Sequence, residues 1–261
     1  MTRFDPTKSA AFLADAHLRR IPFANLSGPH APKTISEAYE VQEELCKIWR
    51  DVYGEVSGLK IATTTKVMQE LMGIDHPCGG FIFENRIHTS PATLSSKEFI
   101  HPMLECELAV RLRRDILSEG ATLTPTDVRT AVGQAMAVFE IIEDRAADYS
   151  ECDARSLIAD NAWNAGVVCS TPVDVGADMD LNGLVGRLQV NGERQSEGLT
   201  DDPMGALAWV ANLAIERGRP LRRGMTVITG SVIATLPIKP GDYFQFTLDQ
   251  IGCTKVAMEL S

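Results

Sequence analysis

The sequence predicts an α+β protein, a mixed β core behind an N-terminal helical portion. Three observations point there. Helical periodicity dominates up to about residue 55, and the texture changes at Val56 to short strand-like runs broken by turn residues. Few helical stretches separate those runs, so the regular strand–helix alternation of a parallel α/β sheet is missing. The chain therefore divides into a helical portion, residues 1–55, and a core, residues 56–261.

In the first portion, Ala10 to Arg20 carries apolar residues at 10, 11, 13, 14 and 18, a helical spacing. Pro29 and Pro32 break the chain before a second helix. Thr34 followed by Glu37 matches a capping box, in which hydroxyl and carboxylate satisfy free amides of the first turn. Behind it Ala38, Val41, Leu45, Ile48, Trp49 and Val52 recur on one face. In the core, Val56 to Ile61 and Phe81 to Phe83 read as strands, the latter after Pro77, Gly79 and Gly80. Ile100 to Leu112 is a third strand. Thr124, Pro125 and Asp127 open a capped helix, and the β-branched run Ala137 to Ile142 reads as a strand. A further helix starts at Asp202-Pro203 and runs to Gly218. Strands are expected at Leu184–Val190, Thr226–Thr229, Tyr243–Leu248 and Lys255–Leu260, with Asn191-Gly192 as a tight turn.

The composition excludes several classes. Of 261 residues, 44% are apolar and 23% charged, which opposes general disorder, and a chain of this length buries a core without disulfides. Lys and Arg number 25 against 35 Asp and Glu, a net charge of −10 that argues against nucleic acid or an anionic membrane as partner. The six cysteines (46, 78, 106, 152, 169 and 253) form no Cys-x-x-Cys pair and no zinc spacing with the histidines, so they read as reduced thiols of a cytoplasmic protein. Met1 to Pro6 has no apolar run behind its charge, hence no expected secretory signal. Gly224 to Ile238 is too short and too rich in Thr, Ser and Gly to span a bilayer.

The sharpest chemical feature is Leu104-Glu105-Cys106-Glu107-Leu108. On a strand, Leu104, Cys106, Leu108, Val110 and Leu112 share one face, and Glu105 and Glu107 project together from the other. Two like charges on one face repel unless something positive sits between them. A hard divalent cation is one answer; a solvent-facing edge with pairing to Arg111 or Arg113 is the other. Glu140, flanked by Phe139 and Ile141, adds a carboxylate that needs an Arg, a Lys or a metal if buried. Glu143, Asp144 and Arg145 are open to a reading as simple surface charges, the favoured one for Glu143. Lys60, amid Leu59, Ile61 and Ala62, either snorkels to water or stands partly desolvated near a cation with a lowered pKa, fit for proton transfer. Thr229-Gly230-Ser231 reads as a small-residue turn ending a strand, open to close backbone approach by a ligand. Nucleophile-elbow, P-loop, dinucleotide-binding, His-Glu-x-x-His and EF-hand patterns are absent from the sequence.

Taken in order, these pieces resemble the fumarylacetoacetate hydrolase superfamily, in its 2-oxopent-4-enoate hydratase and 4-oxalocrotonate decarboxylase branch. The resemblance runs from about residue 35 to the end. It rests on Gly58-Leu59-Lys60-Ile61, Gly73-Ile74-Asp75-His76-Pro77, Glu105-Cys106-Glu107-Leu108-Ala109, Glu140 to Arg145, Ala159-Asp160-Asn161-Ala162, Val190 to Glu193, Thr229-Gly230-Ser231 and Pro240-Gly241-Asp242. It implies a rolled mixed β-sheet core and a homo-oligomer, with a complex with a related pathway enzyme as an option. It also implies Mg²⁺ or Mn²⁺ on Glu105, Glu107 and Glu140, a catalytic and substrate-binding Lys60, and substrate contacts at Gly230 and Ser231. The substrate implied is a 2-oxo or 2-hydroxy-dienoic acid of aromatic meta-cleavage catabolism, hydrated to a 4-hydroxy-2-oxo acid. Decarboxylation of a 2-oxo dioic acid and C–C hydrolysis use the same platform.

Two departures bear on the reaction. The branch usually carries an Asp after the Pro, where this chain has Cys78, which cannot serve as a base without a much lowered pKa. Asp75 or His76 is then the nearest replacement in sequence, Asp75 being the candidate catalytic residue. The usual small or hydroxylated residues after Asp160-Asn161 give way to Ala162 and Trp163. The departures fit a decarboxylase, and they also fit a non-catalytic partner subunit, against which the three glutamates speak.

Overall fold

The structure is a computed structural model that describes residues 4–118, 120–176 and 178–260; the N-terminal reading at Met1 to Arg3 lies outside the described residues. In chain order the elements are α1 (Pro6–Leu18), α2 (Ile35–Tyr53), β1 (Val56–Ala62), α3 (Lys66–Met72), β2 (Cys78–Phe83), β3 (Ile87–Thr89), β4 (Ala92–Leu94) and β5 (Pro102–Leu112). They continue with α4 (Pro125–Arg129), β6 (Val132–Glu143), α5 (Ala154–Ala159), β7 (Asn164–Cys169), β8 (Val173–Asp174), β9 (Val185–Val190) and β10 (Glu193–Leu199). Last come α6 (Pro203–Glu216), β11 (Thr226–Pro237), β12 (Tyr243–Leu248) and β13 (Gly252–Met258).

Two mixed sheets carry the fold, as expected of an α+β chain. The larger runs β2-β1-β11-β5-β6-β7-β3, with β8 added to β6; β1–β11 and β3–β7 are parallel and the other pairs antiparallel. The smaller runs β10-β9-β12-β13-β4, with only β13–β4 parallel. The sheets share an apolar core in which Phe139 of β6 meets Phe244 and Phe246 of β12, ring centroids 6.4 and 6.1 Å apart. Leu104, Cys106, Leu108, Val110 and Leu112 belong to that core, as strand alternation requires. Helices α1 and α2 join it through a second cluster, where Leu13, Leu45 and Trp49 meet Phe81 and Phe83 of β2.

Local signals explain most boundaries. The Thr34 hydroxyl accepts the Glu37 amide at 3.1 Å, but the Glu37 carboxylate reaches back to the Lys33 amide rather than to Thr34. The Thr124–Asp127 box closes in both directions. Asn191 and Gly192 take φ of 53° and 86° and close the β9–β10 hairpin. The third strand begins at Pro102, because the Ile100 and His101 amides donate to the Glu143 carboxylate instead of a ladder. The final strand starts at Gly252 because a turn right after Leu248 pairs these two residues.

Two expectations are corrected. Thr229-Gly230-Ser231 does not end a strand: β11 continues to Pro237 across register irregularities on either side of Ser231. Glu143, Asp144 and Arg145 are not surface charges. All three are buried, because each finds a distant or backbone partner that offsets desolvation.

Candidate metal centre and catalytic cavity

Antiparallel pairing sets Glu105 of β5 directly opposite Glu140 of β6, and Glu107 follows two residues on, so all three side chains leave one sheet face. One carboxylate oxygen from each lies within 4.8 Å of the others. Each carboxylate has one oxygen held by a hydrogen bond. Glu105 Oε1 accepts from the Thr235 hydroxyl at 2.6 Å, Glu107 Oε2 from the Gly230 amide at 2.8 Å, and Glu140 Oε1 from Asn164 Nδ2 at 2.7 Å. Glu107 Oε1 and Glu140 Oε2 are buried without any hydrogen-bond partner. One oxygen per carboxylate is thus held in orientation, and two others are buried and unsatisfied, an arrangement that costs free energy unless a cation completes it.

Among the described residues, Lys60 is the one positive group in this cluster. It is 1% exposed, with Nζ 2.7 Å from Glu140 Oε1 and 3.2 Å from the Ala162 carbonyl, to which it donates. The snorkelling alternative therefore fails. Burial alone would pull its pKa down, but Glu140, Glu105 and Glu107 more than offset this and hold it above the ordinary lysine value. Glu140 moves the other way, pushed up to about 7 by burial, with Lys60 opposing and Glu105 reinforcing. Burial, together with Glu140 and Glu105, holds Glu107 well above the carboxylate range. Three carboxylates around one ammonium leave two surplus negative charges, which a single divalent cation cancels. Donor type, charge and the unsatisfied oxygens all fit a hard divalent ion.

The wall opposite Lys60 is a strained turn. Asn161, Ala162 and Trp163 have φ of 55°, 46° and 58°, three successive left-handed residues, each costing of order 1–2 kcal/mol. Side-chain bonds hold them there: Asn161 Oδ1 accepts the Phe81 amide at 2.7 Å while its Nδ2 donates to the Phe81 carbonyl at 3.0 Å. Gly80, paired with Lys60 across β1–β2, admits the turn, since a Cβ there would lie 2.8 Å from the Asn161 carbonyl oxygen. Asp160, just before the turn, is fully buried between His17 Nε2 at 2.6 Å and the Arg145 guanidinium. Those two partners outweigh burial and hold its carboxyl below the usual range.

A cavity of about 540 Å³ opens onto Lys60, Glu105 and Glu107. Gly230 and Ser231 line it, as do Thr63, Thr64 and Thr65, so the structure brings together Lys60, the glutamates and the Gly-Ser pair. Asp75 is apart from them. It is exposed in the connection from α3 to β2 and does not line the cavity. Cys78 is fully buried, and burial pushes its thiol up, so it holds its proton at neutral pH. Sequence reasoning missed Asn164, Thr235 and His17, whose contacts cross 24, 130 and 143 residues and leave no local signal.

The family model described as "Fumarylacetoacetate (FAA) hydrolase C-terminal" matches residues 84–258. The chain is 28% identical over 240 residues to a 2-hydroxyhexa-2,4-dienoate hydratase of Comamonas testosteroni, covering 89% of each chain. It is 26% identical to a 4-oxalocrotonate decarboxylase of Pseudomonas putida, covering 93% of this chain and 92% of that one. In fold it matches the 4-oxalocrotonate decarboxylase from Pseudomonas putida G7, solved with magnesium and adipate, at a TM-score of 0.88 and 24% identity over 99% of this chain and 98% of that chain. No helix among the described residues is long and apolar enough to cross a membrane. With its two mixed sheets and its matched core from residue 84 to 258, the chain belongs to the fumarylacetoacetate hydrolase family.

Proposed function

We propose that this chain is a divalent-metal-dependent hydratase, converting a 2-hydroxy-2,4-dienoate through its 2-oxo form into a 4-hydroxy-2-oxo acid. The observation that carries this reading is the set of three glutamates, each with one oxygen anchored, beside a buried Lys60 in a cavity. The hydratases among the similar proteins point to the same reaction. Glu105, Glu107 and Glu140 would hold Mg²⁺ or Mn²⁺, which supplies Lewis acidity to a chelating 2-oxo carboxylate. Lys60 keeps a proton at Nζ, fixed by Glu140 and the Ala162 carbonyl, and serves to hold the substrate carboxylate or to hand that proton to the dienol carbon on ketonisation. The Gly230 amide is already spent on Glu107, so this residue positions a ligand while Ser231 faces the substrate. Exposed outside the cavity lining, Asp75 has a weaker claim to the acid–base step than Lys60.

Burial of Cys78 favours one second reading, decarboxylation of a 2-oxo dioic acid, which needs no base to activate water. The deciding experiment follows the ultraviolet decay of freshly generated 2-hydroxypenta-2,4-dienoate with and without Mg²⁺ or Mn²⁺, identifying products by NMR. Metal-dependent formation of a 4-hydroxy-2-oxo acid is expected. No turnover by protein shown to bind the metal would refute the hydratase, and carbon dioxide release from 2-oxohexenedioate would establish the second reading.

A further inference from the structure

The cavity also has an apolar wall. It is built from Met68, Met72, Met103, Ile142, Leu157 and Trp163, with Met103 and Ile142 paired two residues along β5 and β6 from Glu105 and Glu140. Among the described residues lining the cavity, Lys60 is the only Lys, Arg or His, and it stands at the glutamate end, 2.7 Å from Glu140 Oε1. Tyr149 also lines this wall, but its hydroxyl donates to Asp144 Oδ2 at 3.1 Å. The indole Nε1–H of Trp163 is buried with no partner. It is a single neutral donor, too little to compensate a buried carboxylate. A neighbouring cavity of about 440 Å³ shares Thr64, Thr65, Gly230 and Ser231 with the first, and its ionisable side chains are Asp201 and Asp202. Whichever way a substrate extends from the glutamates, it meets apolar surface, neutral hydroxyls such as Thr64, Thr65 and Ser231, or negative charge, and no further cation among the described lining residues.

We infer that the site selects 2-oxo or 2-hydroxy-dienoic monocarboxylates with an apolar tail and rejects acids carrying a second, distal carboxylate. The inference rests on the proposed metal-chelating reading of the glutamates and adds the identity of the far end. It also separates the two reactions weighed above, because the decarboxylation substrate needs that second carboxylate. Thioether and aromatic groups suit an alkyl or alkenyl tail: methionine adapts to irregular apolar shapes, and a flat ring packs against a conjugated chain. A buried carboxylate on the same wall would find no cation and no pair of donors.

The test is binding, read by titration calorimetry on Mn²⁺-loaded protein with non-reacting 2-oxo acids. The probes are pyruvate, 2-oxobutanoate, 2-oxopentanoate, 2-oxohexanoate and the diacid 2-oxohexanedioate. Affinity should rise roughly fourfold per added methylene while the tail runs along the wall. The diacid should bind at least about tenfold more weakly than 2-oxohexanoate. Met103→Arg, at a half-buried lining position, should raise diacid affinity and weaken that of 2-oxohexanoate. A flat series with pyruvate bound, or a diacid that binds as tightly as the monoacid, overturns the tail inference and leaves the chelating site standing. No binding by any of the acids, with Mn²⁺ shown to be bound, overturns both. The unmodified-protein series decides the matter even if the variant does not fold.

Discussion

Removing the metal should make the folded chain lose stability as pH climbs from 4.5 toward 7, and adding Mg²⁺ should abolish that loss. In the metal-free chain, burial and the nearby Glu105 carry Glu140 from its ordinary 4.5 to about 7, against the opposing pull of Lys60. The unfolded chain releases this proton at the ordinary value, whereas the folded chain keeps it. Between the two values unfolding therefore releases a proton, and rising pH favours the unfolded state. At about 1.4 kcal/mol per pH unit the gap amounts to roughly 3 kcal/mol from Glu140. Glu107, pushed up by burial and by Glu140, acts in the same direction. At about 2–4 °C per kcal/mol for a chain of this size, the metal-free melting temperature should fall by about 6–12 °C over that interval. A bound divalent ion keeps the carboxylates ionised, so the stabilisation it adds should grow with pH. Urea denaturation at several pH values, in a chelator or in excess Mg²⁺, measures both quantities. Glu140→Gln, which cannot titrate and also relieves the push on Glu107, removes both contributions and supplies the comparison curve. Equal metal-free stability at pH 5 and pH 7 after that correction, or a Mg²⁺ increment independent of pH, would refute the reasoning.

Three further outcomes follow from the same geometry. Lys60→Met should lower turnover by about 10²–10⁴-fold while Mn²⁺ still binds in calorimetry, whereas Asp75→Asn, at an exposed position outside the cavity lining, should change it less than about threefold. Asp160→Asn leaves the buried Arg145 guanidinium without its carboxylate; denaturant titration should show a loss of about 3–5 kcal/mol, and a double variant with Arg145→Met should lose less than the two single losses combined. The depressed Asp160 pKa also means that its stabilisation is complete above the ordinary aspartate value and disappears in acid, as pH falls through the lowered folded value. Ala162→Gly removes a Cβ from a left-handed position at φ 46°, and the thermal midpoint should rise by the equivalent of about 0.5–1 kcal/mol, the strain relieved less the backbone entropy added.

Capping chemistry explains why so many elements are legible locally. Thr34, Thr124 and Asp202 each stand at the N-cap they advertise, and these signals need only neighbours a few residues away. Helix α1 begins earlier than its apolar spacing suggests, at Pro6 behind an Asp5 cap, the same Asp-Pro signal that opens α6. Helix α3 escaped prediction because its seven residues, Lys66–Met72, are too few to establish a period. The β11 irregularities escaped as well. They arise where the strand accommodates Gly230, whose amide turns to Glu107.

Strand alternation by itself determines that Glu105 and Glu107 share a face, since side chains repeat every two residues along any strand. Sequence order likewise carries the resemblance that points to Glu140 and Lys60. Whether these charges meet is a matter of register between strands far apart in the chain. Pairing of β5 with β6 sets Glu105 against Glu140, β1 lodges between β2 and β11 to deliver Lys60, and β7 brings Asn164 to Glu140. Burial is decided at the same level. Glu143, Asp144 and Arg145 can pass for surface charges in the sequence, and nothing local marks Asp160 as buried. They go inside because partners such as the Ile100 amide, His101 and His17 arrive from elsewhere in the chain to offset their desolvation.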